Sequence, residues 1–195
     1  MSCRALLLLV CGCLPSFAQA PKLFVSVRLT TPFRVTTLEA YSDRARTFTS
    51  RLTQVSRLGI DVKQVFRDQL MTALAKDKRF NWQLASAMPD EAEAILWTWQ
   101  NPQYQRPQSL GPTDRLVIAN ILDIFALQMA QDIYEPNARI GIALVDDARR
   151  QLQWETTSFQ ARPKQVKSAQ LDATMKEILQ SSAQRLAEGL LKFLQ

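Results

Sequence analysis

Apolar and polar positions alternate cleanly at the start of the body of this chain. Leu23, Val25, Val27 and Leu29 interleave with Lys22, Phe24, Ser26 and Arg28, the two-residue period of a half-buried strand, which Pro32 ends. Farther on, Tyr41, Ala45, Phe48, Leu52 and Val55 recur at steps of four, three, four and three, the spacing of an amphipathic helix in a segment rich in Ser and Thr. The clearest helix follows. Asp61 stands at the N-cap with Gln64 in the capping-box position, and Val62, Val65, Phe66, Leu70, Ala73 and Leu74 form one apolar stripe.

Residues 80–85 read as a short strand. Residues 94–100, Ala-Ile-Leu-Trp-Thr-Trp-Gln, read as another, with Ile95, Trp97 and Trp99 on one side. Pro102, Pro107 and Pro112 mark a loop. Between 115 and 131, Val117, Ile118, Ile121, Leu122, Phe125 and Met129 fall at helical spacing, although the later half would also serve as a strand. Residues 139–145 and 151–159 flank Asp146-Asp147-Ala148-Arg149-Arg150 as a β-hairpin. Ser168 opens a long closing helix with Leu171, Met175, Ile178, Leu179, Ala183, Leu186, Leu190 and Phe193 inward. The expected class is α+β: a mixed or antiparallel sheet of about four to five strands, with two to four helices mainly on one face.

Residues 1–20 have a different pattern. One charge at Arg4, an apolar run through Cys11, then Pro15 and small residues follow the order of a secretory signal. The run is shorter than the roughly 20 residues of a spanning helix. Ser16-Phe17-Ala18 supplies a cleavage site, giving a signal over 1–18 and one domain over 21–195. Alternatively, Val10-Cys11-Gly12-Cys13 resembles a bacterial lipobox, with Cys13 as the lipidated residue. The first reading gives a periplasmic or secreted protein, the second one anchored by lipid to the outer membrane.

Charge is distributed unevenly in the 195-residue chain. Residues 21–57 carry seven basic side chains (Lys22, Arg28, Arg34, Arg44, Arg46, Arg51, Arg57) against Glu39 and Asp43, whereas 58–195 carry sixteen of each sign. The excess of positive charge in the first third can draw an acidic partner protein, an anionic lipid or a glycan, with peripheral membrane association as one consequence. Arg28, Arg34, Arg44, Arg46, Arg51 and Arg57 are the candidate binding residues. Nucleic acid is not expected, because the basic segment lacks interleaved aromatics and export removes the protein from it.

The catalytic inventory is thin. The sequence has no histidine, and its three cysteines, Cys3, Cys11 and Cys13, all lie in the signal segment. Zinc sites and His-dependent triads therefore lack their ligands and bases. No G-x-G-x-x-G, Walker A or G-x-S-x-G pattern occurs. Carboxylates at Asp90, Glu91, Glu93 and Asp146-Asp147 sit at turns, where solvated acids belong. No metal, cofactor or catalytic residue is assigned, and the expected function is that of a non-enzymatic accessory or assembly protein. The alternative is a carboxylate-based hydrolase or transferase with a site near Trp97 and Trp99, where Trp82, Tyr104 and Trp154 would add an aromatic lining.

Several segments together have a familiar order. A signal-bearing start precedes the helix Asp61-Val62-Lys63-Gln64-Val65-Phe66-Arg67-Asp68-Gln69-Leu70, closed by Arg79-Phe80, and then Glu91-Ala92-Glu93-Ala94-Ile95-Leu96. The hairpin Ile142-Ala143-Leu144-Val145-Asp146-Asp147 to Leu152-Gln153-Trp154-Glu155 and a terminal helix complete it. Over residues 58–194 this order resembles the small periplasmic lipoproteins of Gram-negative envelope assembly, of the lipopolysaccharide-assembly, curli-secretion and penicillin-binding-protein-activator kinds. The resemblance implies an α/β sandwich without catalysis, working as a plug, adaptor or accessory subunit. It carries over no functional residue.

Overall fold

The computed structural model describes residues 20–39, 50–85, 115–146, 151–159 and 164–195. In chain order they form β1 (Lys22–Leu29), β2 (Arg34–Glu39), β3 (Ser50–Val55), α1 (Val62–Leu74), β4 (Asn81–Leu84), β5 (Arg115–Ala130), β6 (Ile133–Asp146), β7 (Gln151–Phe159), β8 (Val166–Lys167), a 3₁₀ turn (Ser168–Gln170) and α2 (Leu171–Phe193). All eight strands belong to one sheet. The class is α+β, but the expectation of four to five strands is wrong.

The sheet is built on β5. Along one edge, β1 runs parallel to its first half and β2 parallel to its second, so that the chain breaks at residues 30–33 and resumes beside the same neighbour. Thr30 N–H still donates to Ile121 C=O at 3.0 Å across this break, and Pro32, which has no N–H, sits where no ladder bond is needed. Outside β1 lies β4, parallel, and outside β2 lies β3, antiparallel. On the other edge, β6 pairs with β5 along nearly its whole length, and β7 and β8 share the outer side of β6.

The helical spacing over 115–131 belongs to a strand, for two physical reasons. Residues 116–121 are buried on both faces, and a doubly covered strand reads as an unbroken apolar run. A bulge at Leu122 then shifts the register between Ile121 and Asp123. Val117, Ala119 and Ile121 face the helices above the bulge, and Ile124 and Ala126 below it. The step of three from Ile121 to Ile124 turns a two-residue period into an imitation of a helical one. The helix expected over 41–55 is corrected in its described part: residues 50–55 are strand β3, and Leu52 and Val55 are exposed (52% and 71%) rather than aligned on a buried stripe, while residues 41–49 lie outside the described residues.

Other expectations hold. β1 spans the alternating run, β4 falls within 80–85, and β6 and β7 form the antiparallel hairpin, with β6 starting earlier than expected. Asp61 caps α1, its Oδ1 accepting the Gln64 N–H at 2.9 Å. Ser168, expected to cap the closing helix, instead gives its N–H and hydroxyl to Asp132. The strand at 94–100 and the loop after it lie outside the described residues.

α1 and α2 pack together on one face of the sheet. Phe66, Leu70 and Leu74 of α1 and Met175, Leu179, Ala183, Leu186 and Leu190 of α2 close over Leu23, Val25 and Val27 of β1 and the inward residues of β5 and β6. Trp154, on β7, packs against this core and stacks on Phe193 at 5.9 Å between ring centroids. A Cβ at Gly189 would meet that indole at 3.5 Å, an ordinary van der Waals contact. On the opposite, far face, Phe24, Leu116, Ile118 and Val145 form a second small buried cluster.

Candidate partner-binding surface

Strand alternation places a polar band below that far-face cluster. Ser26 and Arg28 of β1 and Asn120 of β5 are buried side chains in it, Arg28 only 7% exposed. The Thr30 hydroxyl donates to Asn120 Oδ1. Arg34, the first residue of β2, donates through Nη2 to Asp123 Oδ1 at 2.6 Å, joining β2 to the bulged part of β5. Arg34 then stands in one row with Phe125 of β5 and Asn137 of β6.

Beyond β2 the sheet becomes a two-stranded ribbon. Arg34 pairs with Val55, Thr36 with Thr53 and Thr37 with Leu52, in unbroken antiparallel register. Residues directly opposite share a face, so Val55 and Thr53 lie on the far face with Arg34, and Leu52 lies on the helix side. The Thr36 and Thr53 hydroxyls meet at 3.1 Å. Every residue from Leu52 to Arg57 is exposed. Among the described residues, no strand pairs with the free edge of β3.

The arginines of the first third therefore occupy different environments. Arg28 is within the sheet, Arg34 is bonded to Asp123, and Arg57 is exposed between β3 and α1. Arg51 lies on β3 beside the free edge. Arg44, Arg46 and Cys13 lie outside the described residues, as do Asp90, Glu91, Glu93, Trp97, Trp99, Tyr104 and Asp147. Leu52, Thr53 and Val55 were not candidates from the sequence, because helical spacing assigned Leu52 and Val55 to a core. The Thr- and β-branched character of 47–55 was the signal that could have found them.

Several described carboxylates are engaged in structural bonds. Asp172 accepts the Gly59 N–H at 3.0 Å and ties the start of α2 to the loop before α1. Asp77 is bridged by Arg79, whose guanidinium holds that carboxyl below its ordinary value. The Ser168 hydroxyl, followed by its N–H, does the same for Asp132. Among the described residues, no group of three acidic or cysteine side chains is placed to hold a metal ion. No described helix is long and apolar enough to cross a membrane. Of the tryptophans, Trp82 packs on the core and donates its Nε1–H to Asp77 C=O at 3.2 Å.

No family model and no curated protein matches the chain. Among solved structures, a Xanthomonas campestris protein of the family DUF330 is similar with a TM-score of 0.53 and 10% identity, over 89% of this chain and 84% of that one. PelC from Paraburkholderia phytofirmans gives a TM-score of 0.44 and 13% identity, over 88% and 93%. A Neisseria meningitidis lipoprotein, GNA1162, gives 0.36 and 8%, over 88% and 99%. The likeness to the Xanthomonas protein is one of fold.

Proposed function

We propose that this chain is an exported, non-enzymatic accessory protein of the bacterial envelope, and that it binds a partner protein through its N-terminal third. The observation carrying this reading is the β2–β3 ribbon, exposed over residues 52–55 of β3 with an apolar side chain bare on each face, Leu52 on one and Val55 on the other. It lies in the part of the chain that holds the net positive charge. The secretory pattern of residues 1–20 supports export. The structural engagement of Asp61, Asp77, Asp123, Asp132 and Asp172 supports a role other than carboxylate catalysis.

The test is fractionation of cells expressing the full chain, with a photo-crosslinker at Val55 or, as a control on the helix side, at Lys176. Export with adducts from Val55 and none from Lys176 is expected. Mass spectrometry of the mature N-terminus separates cleavage after Ala18 from lipidation of Cys13. Charge reversal at Arg44, Arg46 and Arg51 should weaken the adduct and its salt sensitivity together. Retention in the cytoplasm, or adducts that ignore both position and charge reversal, would overturn the reading.

A further inference from the structure

We infer that the partner is held by strand addition to the free edge of β3, as an extended segment alternating apolar and acidic residues; this rests on the proposed binding through the N-terminal third. The register states which backbone groups are available. Ser56 N–H donates to Phe33 C=O at 3.0 Å, which makes Phe33–Ser56 a hydrogen-bonded pair. Alternation along the antiparallel ladder then makes Val35–Gln54, Thr37–Leu52 and Glu39–Ser50 bonded pairs as well. The N–H and C=O groups of Arg51, Thr53 and Val55 accordingly point away from β2, to the free edge.

Among the described residues nothing pairs with that edge, and several of the usual protections are missing from β3. β3 contains no proline and no lysine, and its register with β2 has no bulge. An exposed, regular edge carrying apolar side chains is a template for another strand. Its two faces specify an alternating partner, since an added strand would place one set of alternate residues beside Leu52 and Gln54 on the helix side, where an apolar residue fits Leu52, and the other set beside Thr53 and Val55 on the far face. Charge specifies the rest. Residues 50–57, which form and follow this strand, contain Arg51 and Arg57 and no acidic residue. That excess repels a second copy of the ribbon and attracts an acidic strand.

The experiment uses the intact mature protein and a fluorescent peptide of about ten residues, a usual strand length, alternating Glu and Val. Controls are the Lys-Val peptide and a Glu-Val peptide N-methylated at alternate residues. The Glu-Val peptide should bind and slow hydrogen exchange at the amides of Arg51, Thr53 and Val55, with each control about tenfold weaker or more. Thr53→Pro removes an outward N–H without touching a backbone bond to β2, losing there only the hydroxyl contact with Thr36, and its ring suits an edge strand. Val55→Asp places a like charge at an exposed position. Each should weaken binding about tenfold.

Equal binding of the N-methylated peptide, or unchanged binding by both variants, would overturn strand addition. So would binding to anionic vesicles that salt abolishes and Thr53→Pro does not, or a dimer of the free protein that Thr53→Pro dissolves. In cells, Val55 adducts that persist in Thr53→Pro overturn the docking mode and leave the accessory role standing. Cytoplasmic retention overturns the role even if the peptide binds.

Discussion

The attachment of the ribbon to the body of the sheet depends on few bonds, and Asp123 tests how much one of them contributes. β2 pairs with β5 only over Arg34–Thr37, and the 2.6 Å contact between Arg34 and Asp123 lies at the first of those positions, with side chains 36% and 32% exposed. Fully exposed ion pairs contribute about 0.2–1 kcal/mol, and hydrogen bonds to charged groups about 1.5–3 kcal/mol. One-third exposure puts this pair between those ranges, at about 1 kcal/mol. The two substitutions should differ. Asp123→Ala leaves the guanidinium without its acceptor, beside an Arg34 Nε that is already buried without a partner, and should cost about 1.5 kcal/mol. Asp123→Asn keeps an acceptor oxygen and should cost about half as much.

Urea unfolding gives the global effect, and a double-mutant cycle with Arg34→Gln isolates the pair, with an expected coupling of about 0.5–1.5 kcal/mol. Because the pair fastens one ribbon, native-state hydrogen exchange should change first at residues 35–37 and 52–55, before the core of β5 and β6. A coupling below about 0.2 kcal/mol, with exchange in the ribbon unaltered, would refute the assignment of Arg34–Asp123 as the fastening of β2.

Three further outcomes are expected. Gly189→Ala should stabilise the protein by about 0.5–1 kcal/mol, because it removes glycine from the interior of α2 while the new methyl meets Trp154 at an ordinary 3.5 Å; a lower melting temperature would contradict this. Gly59→Ala should destabilise by about 1–2 kcal/mol, since its Cβ would overlap the Asp172 carboxylate that accepts the Gly59 N–H, and in an Asp172→Ala background, where that bond is already gone, the same substitution should cost little in thermal melts. The Asp132 carboxyl, lowered by the Ser168 hydroxyl and N–H, has a folded-state pKa below its unfolded value of about 3.9. Its contribution is thus present above about pH 4 and lost as pH falls through the folded pKa. An NMR titration should show that pKa rising in Ser168→Ala, and an unchanged value would discount the hydroxyl.

Much of the fold was legible where one period dominated a segment. β1 has one face of Leu23, Val25 and Val27, and α1 has a cap and a stripe that nothing competes with. Legibility failed on β5 for a reason internal to strands. Burial on both faces erased the alternation up to Ile121, and the bulge at Leu122 supplied a false helical step. The strand count failed with it, since β5 organises six of the other strands directly or through β6 and β2. At β3 the failure was of another kind. Leu52 and Val55 sit three residues apart on opposite faces of a strand, whereas in a helix the same spacing would bring them together. Only the pairing of Arg34 with Val55 and Thr37 with Leu52 shows that they are divided, and that pairing is a long-range fact.

The positive charge of the first third acquires a location from the same pairing. Arg28 is buried in the sheet and Arg34 is matched by Asp123, so neither adds an exposed charge in proportion to its count in the sequence. The rest of the excess is numbered between 44 and 57, with Arg51 on the outer strand of the ribbon and Arg57 just beyond it. An electrostatic attraction confined to an exposed ribbon is screened over about 10 Å at 0.1 M salt, whereas backbone bonds along an edge are not. Association with an acidic strand should thus slow as salt rises while dissociation changes little, because charge steers the encounter and the ladder holds it. Thr53→Pro should do the reverse, leaving association nearly unchanged and speeding dissociation. If both perturbations acted on the same rate, charge and edge would not be separate parts of one recognition.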